Sequence, residues 1–238
     1  MADTTDIAVS SAREKRAFTT HTAVDRKDQH GGGATVFHLY RDAGKRVFDI
    51  GFVLVTAVFV VPLMLAMAAL IARDGHSPFF RQERIGRGGT LFTIVKLRTM
   101  VPDAEAALKQ IVSTDTDAAK EWAAHQKLRR DPRVTRIGAF LRRTSLDELP
   151  QFWNVLVGHM SLVGPRPMMP EQRSLYHGSA YFDLRPGITG LWQVSNRNKD
   201  TFASRAEYDE RYGDEMSLRL DLKTLAQTAV VVLRGTGY

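Results

Sequence analysis

The sequence contains no cysteine among its 238 residues. This absence excludes a disulfide framework, a thiolate metal site and a cysteine nucleophile, and it gives no support for an oxidising compartment. The seven histidines show neither HxxxH nor HExxH spacing, so we predict no zinc site. Nothing apolar enough for a signal-peptide core occurs before residue 47, so we expect no secretory signal peptide.

The first 40 or so residues lack any apolar periodicity. They are polar and mixed in charge, and three consecutive glycines interrupt them at Gly31–Gly33. A segment of this kind cannot bury enough apolar surface to offset the entropy lost on ordering. We therefore predict that residues 1–42 form a disordered N-terminal tail.

Positive charge, in contrast, is in excess. The formal net charge is +7 and the isoelectric point is about 9.8. Such a balance indicates an anionic partner, which can be nucleic acid, a lipid headgroup surface or a phosphorylated substrate. A chain of this length is also long enough to bury a sizeable core in one domain with an appendage.

A long uncharged segment, Ile50–Ala72, follows the tail. As a straight helix it would be about 34 Å long, enough to cross a hydrocarbon core of roughly 30 Å. Pro62 lies at its middle, and basic residues flank both of its ends. These two features favour a helix that breaks at Pro62 and leaves the membrane on the side where it entered. A plain transmembrane helix is the alternative; in either case we expect Asp49 in the headgroup layer.

A basic hairpin is predicted next. Pro78–Phe80 and Thr90–Arg98 have the composition of strands, and a glycine-rich turn separates them. Lys96 and Arg98 are two residues apart on the second strand, so they are expected to share a face. They form either a phosphate clamp or a solvated basic edge that discourages aggregation.

Helical patterns dominate the remaining chain. Asp103–Arg130 is predicted to be one helical region that ends at Asp131-Pro132, and Ile137–Leu141 a short helix that continues into two arginines. Basic amphipathic helices of this kind can lie in a membrane surface. Ser217–Leu233 is predicted to form an amphipathic helix, and Leu191–Val194 a short strand.

The most informative stretch is Thr144–Pro167. It places the acidic pair Asp147-Glu148 between Arg142-Arg143 and the Pro165-Arg166-Pro167 turn. Carboxylates can attack phosphorus or hold Mg²⁺, and arginines can hold phosphate oxygens, so the pattern indicates phosphate chemistry. The alternative is structural, because Ser145-x-x-Glu148 is a capping box that could simply start a helix.

Several motifs occur in a fixed order along the chain. They are Lys45-Arg46-x-x-Asp49, Phe80-x-Gln82-x-Arg84-Ile85-Gly86, Lys96-x-Arg98-Thr99-Met100, Asp131-Pro132-Arg133-x-Thr135-x-Ile137-Gly138, Ser145-Leu146-Asp147-Glu148-Leu149-Pro150-Gln151, Ser161-Leu162-Val163-Gly164-Pro165-Arg166-Pro167 and Arg185-Pro186-Gly187-Ile188-Thr189-Gly190. From about residue 43 to the C-terminus this set resembles the bacterial sugar transferases of the monotopic phosphoglycosyltransferase superfamily.

The resemblance implies an α+β fold. Residues 43–73 would form a membrane-embedded re-entrant helix broken at Pro62. Residues 74–238 would form a mainly helical catalytic domain with a small β-hairpin and interfacial amphipathic helices, on the cytoplasmic face of the bacterial inner membrane. The implied reaction passes a sugar 1-phosphate from a UDP-sugar to undecaprenyl phosphate and releases UMP. Within the family, a short chain without an N-terminal multi-span domain resembles the enzymes that start exopolysaccharide repeat units with galactose or glucose.

The same resemblance implies roles for individual residues. Asp147 would be the nucleophile of a covalent phosphosugar intermediate, and Glu148 its partner in metal binding or acid–base work. Mg²⁺ would be the cofactor, held by these two carboxylates. Arg142 resembles a phosphate-binding position and Arg166 a nucleotide-binding position. Further phosphate contacts are expected at Lys96, Arg98 and Arg197.

A second class of function also fits the composition. A membrane-tethered basic module that binds RNA or anionic lipid without catalysis would explain the charge and the apolar segment. It would not explain an acidic pair inside the basic region, where carboxylates weaken anion binding. We therefore expect UDP-sugar, undecaprenyl phosphate and membrane lipid as partners and no nucleic acid, and leave homo-oligomers open.

Overall fold

The computed structural model describes residues 40–125, 128, 131–195 and 202–234. The predicted tail up to residue 39 and Arg197 lie outside these residues. The described chain combines helices with two small sheets, which confirms the α+β class. Its α-helices are α1 (Lys45–Ile71), α2 (Ala104–Thr114), α3 (Thr116–His125), α4 (Arg136–Thr144), α5 (Gln151–Leu156), α6 (Ala180–Asp183), α7 (Leu191–Val194), α8 (Arg205–Glu215) and α9 (Leu218–Leu233). Its strands are β1 (Phe79–Ile85), β2 (Leu91–Leu97), β3 (Ser161–Val163) and β4 (Gly187–Thr189).

Helix α1 is long and apolar enough to cross a membrane. The helix continues through Pro62 without interruption, so the expected end of one helix and start of another at Pro62 is not found. The physical reason is that a proline removes a single backbone N–H, while the turns on either side keep their own hydrogen bonds. The Thr56 hydroxyl donates to the carbonyls of Phe52 and Val53, not to the Val58 carbonyl that Pro62 leaves without its helical donor.

Both halves of α1 pack against the same globular body. In the first half Val53 is buried in a core that includes Leu162 of β3. In the second half Ile71 is buried in a core that includes Leu97 of β2. Between these contacts, residues 54–66 contain no buried side chain. The middle of the helix is therefore mostly exposed, and contact with the second core begins at Met64.

The start of α1 is held by buried polar contacts. Lys45 Nζ lies 2.7 Å from a carboxylate oxygen of Asp221 in α9, which is fully buried. Arg46 donates to two backbone carbonyls at the end of α5. Asp49 is 1% exposed and accepts a hydrogen bond of 3.1 Å from the backbone N–H of Leu162. The expected headgroup position of Asp49 is therefore wrong, because β3 needs an acceptor at this point.

Strands β1 and β2 form the predicted antiparallel hairpin, with Phe79 opposite Leu97 and Ile85 opposite Leu91. Asn154 of α5 fixes this hairpin from the side. Its amide donates to the Thr93 carbonyl at 2.8 Å, and its side-chain oxygen accepts from the Val95 N–H at 3.3 Å. The helix that follows the acidic pair is thereby fixed to the strand that carries Lys96.

Strands β3 and β4 pair in parallel, although they are far apart in the sequence. The Gly164 N–H donates to the Thr189 carbonyl at 2.9 Å, and the Gly187 N–H donates to the Pro165 carbonyl at 2.8 Å. A side chain at Gly187 would collide with the Gly164 backbone, so this close approach requires glycine. The pairing fixes the turn that carries Arg166.

The helical prediction for residues 103–130 is confirmed by α2 and α3. They are separate helices, because the Asp115 side chain accepts from the N–H groups of Asp117 and Ala118 and starts the second one. One expectation about secondary structure is wrong, since Leu191–Val194 is the short helix α7 and not a strand. The predicted helix of Ser217–Leu233 is confirmed as α9, with Ser217 capping its start.

Candidate active site

One cavity of about 950 Å³ collects most of the residues predicted to be functional. Its walls come from the hairpin, the start of α2, the α4–α5 junction, the turn after β3 and the last turns of α9. The predicted site residues that line it are Lys96, Arg98, Arg142, Asp147, Glu148 and Arg166. A cavity of this size is large enough for a nucleotide-sized ligand. Arg197 lies outside the described residues, and its role stays a prediction.

The acidic pair lies on a single 3₁₀ turn, Leu146–Glu148, between α4 and α5. Ser145 ends α4 in the left-handed conformation, with φ of +55°, and its N–H donates to the Arg142 carbonyl. The Ser145 side chain makes no capping bond, so the capping-box interpretation is wrong. A residue in this conformation closes the preceding helix, and it cannot also adopt the extended backbone of an N-cap.

Asp147 is buried, with 9% of its surface exposed. Burial raises its pKa to about 6, the nearby charges of Lys96 and Arg142 lower it, and Glu148 raises it. Lys96 Nζ contacts Glu148 Oε1 at 2.6 Å, which partly compensates the second carboxylate. At neutral pH the Asp147 carboxylate is thus mainly ionised yet poorly solvated, as an oxygen nucleophile requires.

Arg142 is oriented by a residue that the sequence did not single out. Its Nε donates to the Thr99 hydroxyl at 2.9 Å. Burial lowers the pKa of Arg142, while the nearby carboxylates of Asp147 and Asp131 raise it. The signal for Thr99 was present, since it lies in the Lys96-x-Arg98-Thr99-Met100 motif, but nothing in the sequence connects it with Arg142.

Lys96 and Arg98 both line the cavity, as expected for residues that share a face, but they have different partners. Lys96 pairs with Glu148, whereas Arg98 makes a two-pronged contact with Asp74, with both distances at 2.7 Å. Arg98 also donates to the Ser77 carbonyl at 2.8 Å. Its guanidinium therefore ties β2 to the loop after α1, although the side chain lines the cavity.

Two further arginines stand close to Arg166. Arg84 of β1 lines the cavity together with Arg166. Arg205 stands at the start of α8, where burial and the charges of Arg166 and Arg84 lower its pKa to about 10. Arg84 belongs to one of the ordered motifs and to the basic hairpin, whereas none of those motifs includes Arg205. Only the folded chain brings β1, the turn after β3 and α8 together.

The carboxylates of Asp147 and Glu148 suit Mg²⁺ better than a metal ion whose ligands must all come from protein side chains. Among the described residues there is no group of three or more His, Asp or Glu side chains that could hold a metal ion. Asp147 and Glu148 are adjacent hard oxygen donors on the cavity wall. Mg²⁺ typically takes one or two carboxylates and completes its shell with water and substrate phosphates. The site fits Mg²⁺ in that way.

Comparison with known proteins decides the family. The model of the bacterial sugar transferase family matches residues 40–235, which include α1 and every described cavity residue. The chain belongs to the bacterial sugar transferase family. The resemblance drawn from the ordered motifs is thereby confirmed.

Three relatives illustrate the range of this family. The sugar transferase domain is 43% identical over 195 residues to the UDP-galactose-lipid carrier transferase of Erwinia amylovora, which covers 81% of this chain and 41% of the relative. It is 42% identical over 195 residues to the undecaprenyl-phosphate galactose phosphotransferase of Salmonella typhimurium, with the same coverage. It is 43% identical over 197 residues to the exopolysaccharide production protein ExoY of Rhizobium meliloti, covering 81% of this chain and 87% of that protein. The matched region thus spans only about two fifths of the first two relatives.

Proposed function

We propose that this sugar transferase passes a sugar 1-phosphate from a UDP-sugar to undecaprenyl phosphate and releases UMP. The observation that carries the proposal is the buried carboxylate of Asp147 on a cavity that Lys96, Arg142 and Arg166 also line. The names of two relatives support this choice of substrates. One relative is named for UDP-galactose, and the other for undecaprenyl phosphate and galactose. A hexose, galactose or glucose, is therefore the proposed sugar, and the first membrane step of exopolysaccharide synthesis the proposed place.

The reaction proceeds by two displacements at one phosphorus atom. A carboxylate oxygen of Asp147 attacks the phosphorus that bears the sugar, and the bond to the bridging oxygen breaks, so that UMP leaves with the electron pair. An oxygen of undecaprenyl phosphate then attacks the same phosphorus and releases the Asp147 carboxylate. Two steps allow one cavity to serve a soluble donor and a lipid acceptor in turn.

The basic residues stabilise charge during both displacements. Lys96 contacts Glu148, the neighbour of Asp147, at 2.6 Å, and Arg142 lines the same cavity, so both cations are assigned to the phosphate that Asp147 attacks. Arg166 is assigned to the nucleotide phosphate. Arg98 lines the same cavity, and Asp74 holds its guanidinium. Fixed cations in a partly desolvated cavity stabilise developing negative charge more strongly than water does.

Magnesium is the proposed cofactor, and Glu148 with Asp147 would hold it. When bound, it would neutralise part of the diphosphate charge as a Lewis acid. Lys96 contacts Glu148 at 2.6 Å and so holds this carboxylate on the cavity wall. Chelation with EDTA should abolish UMP release, and added Mg²⁺ should restore it; full activity after complete chelation would contradict this assignment.

We further propose that α1 enters and leaves the membrane on the cytoplasmic side, with its middle embedded and a bend at Pro62. Support comes from the contacts of Lys45 with Asp221 at one end and of Asp74 with Arg98 at the other, because both partners belong to one globular body. A straight helix of this length would extend about 40 Å and carry its ends to opposite membrane faces if it spanned the bilayer.

The absence of native cysteine makes the topology testable. The variants Ala43→Cys and His76→Cys place single thiols at exposed positions on either side of α1. A membrane-impermeant maleimide should label both in sealed inside-out vesicles, whereas Val61→Cys, at the middle of the helix, should react only after detergent is added. Protection of one end alone would show a spanning helix.

The reaction is tested by UMP release. Full-length protein in detergent would be mixed with Mg²⁺, undecaprenyl phosphate and one UDP-sugar at a time, with Asp147→Asn as the matched control. UMP from one donor, lost in the control, would establish the reaction and name the sugar. Release from the control at a rate near that of the wild type would refute the nucleophile. Salt-sensitive RNA or liposome binding without turnover would instead favour the binding module.

A further inference from the structure

Three arginines, Arg84, Arg166 and Arg205, have no acidic hydrogen-bond partner among the described residues. Arg84 and Arg166 line the cavity, and Arg205 packs on Trp192, which precedes the cavity residue Gln193. Arg84 and Arg205 each have a buried Nε atom without a hydrogen-bond partner among the described residues. Arg166 is the nearby charge that most lowers the pKa of each, and burial brings both pKa values to about 10. None of the ion pairs in the described part of the chain includes any of the three. An arrangement of like charges in a desolvated place normally implies a missing anion.

Contacts that hold these side chains in place leave their charge uncompensated. An Nη of Arg84 donates to the Gln82 amide oxygen at 2.6 Å. The Arg205 guanidinium lies 4.2 Å from the centre of the Trp192 ring and 4.3 Å from that of Phe202. Neutral amide and aromatic partners orient a guanidinium without supplying a negative charge. The cluster is therefore preorganised and still carries its full positive charge.

A nearby carboxylate does not fill this role. Asp209 lies near Arg205, but its Oδ2 accepts a hydrogen bond from Tyr176 at 3.0 Å, and burial raises its pKa to about 7. Glu171 and Glu148 both raise the pKa of Arg84. No ion pair in the described part of the chain joins Glu171 to Arg84, and Glu148 pairs with Lys96. The positive charge of the cluster therefore stays available to a ligand.

We propose that Arg84, Arg166 and Arg205 form a phosphate-binding site, separate from Lys96 and Arg142, which holds the phosphate that remains with the nucleotide. This assignment rests on the proposed function and adds Arg84 and Arg205 to it. A sugar nucleotide presents two adjacent phosphates and this cavity presents two adjacent basic groups, whereas a lipid monophosphate presents one. Gln193, whose buried Oε1 has no partner among the described residues, lines the cavity and offers an acceptor to the rest of the nucleotide.

The test measures UMP binding without turnover, by calorimetry on the full chain in detergent. Arg84→Gln and Arg205→Gln should each weaken UMP binding at least roughly tenfold, as expected for the loss of a charge-assisted contact to phosphate. Matched controls are Arg81→Gln on the same strand and Arg211→Gln on the same helix, because both side chains are exposed. These controls should change UMP affinity less than twofold. Uridine, which lacks the phosphate, should bind all five proteins alike.

Thermal unfolding separates a binding role from a structural one. Removing one charge relieves repulsion, so ligand-free Arg84→Gln and Arg205→Gln should unfold at the wild-type temperature or above it, while the rise caused by UMP is lost. If glutamine variants do not fold, Arg84→Lys and Arg205→Lys, which keep the charge but lose the planar fork, should still show weakened UMP binding. A lower unfolding temperature with a normal UMP response would overturn the proposal.

The same variants distinguish this inference from the proposed reaction. Wild-type UMP affinity in both glutamine variants, together with Asp147-dependent UMP release, would remove the site and leave the reaction standing. UMP binding that depends on the arginines, without turnover of any donor, would support the phosphate site and contradict the proposed reaction. Unchanged UMP affinity with weaker binding of farnesyl phosphate, a water-soluble polyprenyl phosphate, would assign the cluster to the acceptor and overturn the nucleotide assignment.

Discussion

Gly138 gives the sharpest test of how α4 is seated against the hairpin. A Cβ atom added there would lie 2.6 Å from the Thr99 carbonyl carbon and 2.8 Å from its Cα, and closer still to its oxygen. Ordinary contact begins at 3.4 Å, so α4 and Thr99 must move apart by more than about 0.8 Å in Gly138→Ala, because the carbonyl oxygen is closer than the carbon from which this shortfall is taken. That movement would also stretch the hydrogen bond of 3.0 Å from the Thr135 N–H to the same carbonyl.

The magnitude follows from opposing effects. Forcing backbone apart in a packed region typically costs about 1–3 kcal/mol, and a weakened hydrogen bond about 1 kcal/mol more. The higher helix propensity of alanine raises the free energy of unfolding by about 1 kcal/mol. Gly138→Ala should therefore destabilise the protein by about 1–3 kcal/mol, which lowers Tm by roughly 3–10 °C for a chain of this size. UMP release should also fall, because α4 carries Arg142.

The assay is thermal unfolding in detergent or nanodiscs, followed through the three tryptophans. The matched control is Gly213→Ala in α8, where the added carbon would meet only Leu184 at 3.8 Å. That variant should be as stable as the wild type or gain up to about 1 kcal/mol. A Tm for Gly138→Ala equal to or above that of Gly213→Ala would refute the close packing of α4 on Thr99.

Three further predictions concern the site and its attachment. Burial raises the pKa of the Asp147 carboxyl from 3.8 to about 6. The stability of the folded protein that depends on the protonated carboxyl is therefore present below pH 4 and lost as pH rises through 6. Asp147→Asn should raise the free energy of unfolding by about 3 kcal/mol at pH 7.5 and by almost nothing at pH 4. Asp74→Asn should release Arg98 and expose the loop after α1 to faster hydrogen exchange. Thr99→Val should remove the acceptor that orients Arg142 and raise KM for the donor more than it lowers kcat.

Each of these has a control and a contradicting outcome. Asp117→Asn, in an exposed pair with Lys120, should leave exchange after α1 unchanged, and equal exchange in both variants would show that the Asp74 contact is dispensable. Thr99→Ser keeps the hydroxyl and should retain the wild-type KM. A pH-independent effect of Asp147→Asn on stability would show that the carboxyl is well solvated.

The residues that line the site were largely predictable from the sequence, because residue type and local spacing are sequence properties. The acidic pair among arginines, the uncharged segment with basic ends and the hairpin with Lys96 were all predicted. Local backbone conformation was less accessible. Ser145-x-x-Glu148 has the letters of a capping box, yet the left-handed Ser145 closes α4, because its conformation is set by how α4 and α5 pack on the hairpin.

Long-range contacts were decided only by the tertiary structure. Lys45 meets Asp221 across 176 positions, and β3 pairs with β4 across a gap that no local pattern marks. Arg98 lines the cavity with Lys96 as expected, but its guanidinium is held by Asp74. The helix that carries Arg205, α8, is joined to β3 by the hydrogen bond that the Tyr212 hydroxyl donates to the Val163 carbonyl. Sequence determined which groups are present and which segments are apolar, since both are local properties. Which charges face one another depends on distances between remote segments, and only packing fixes those.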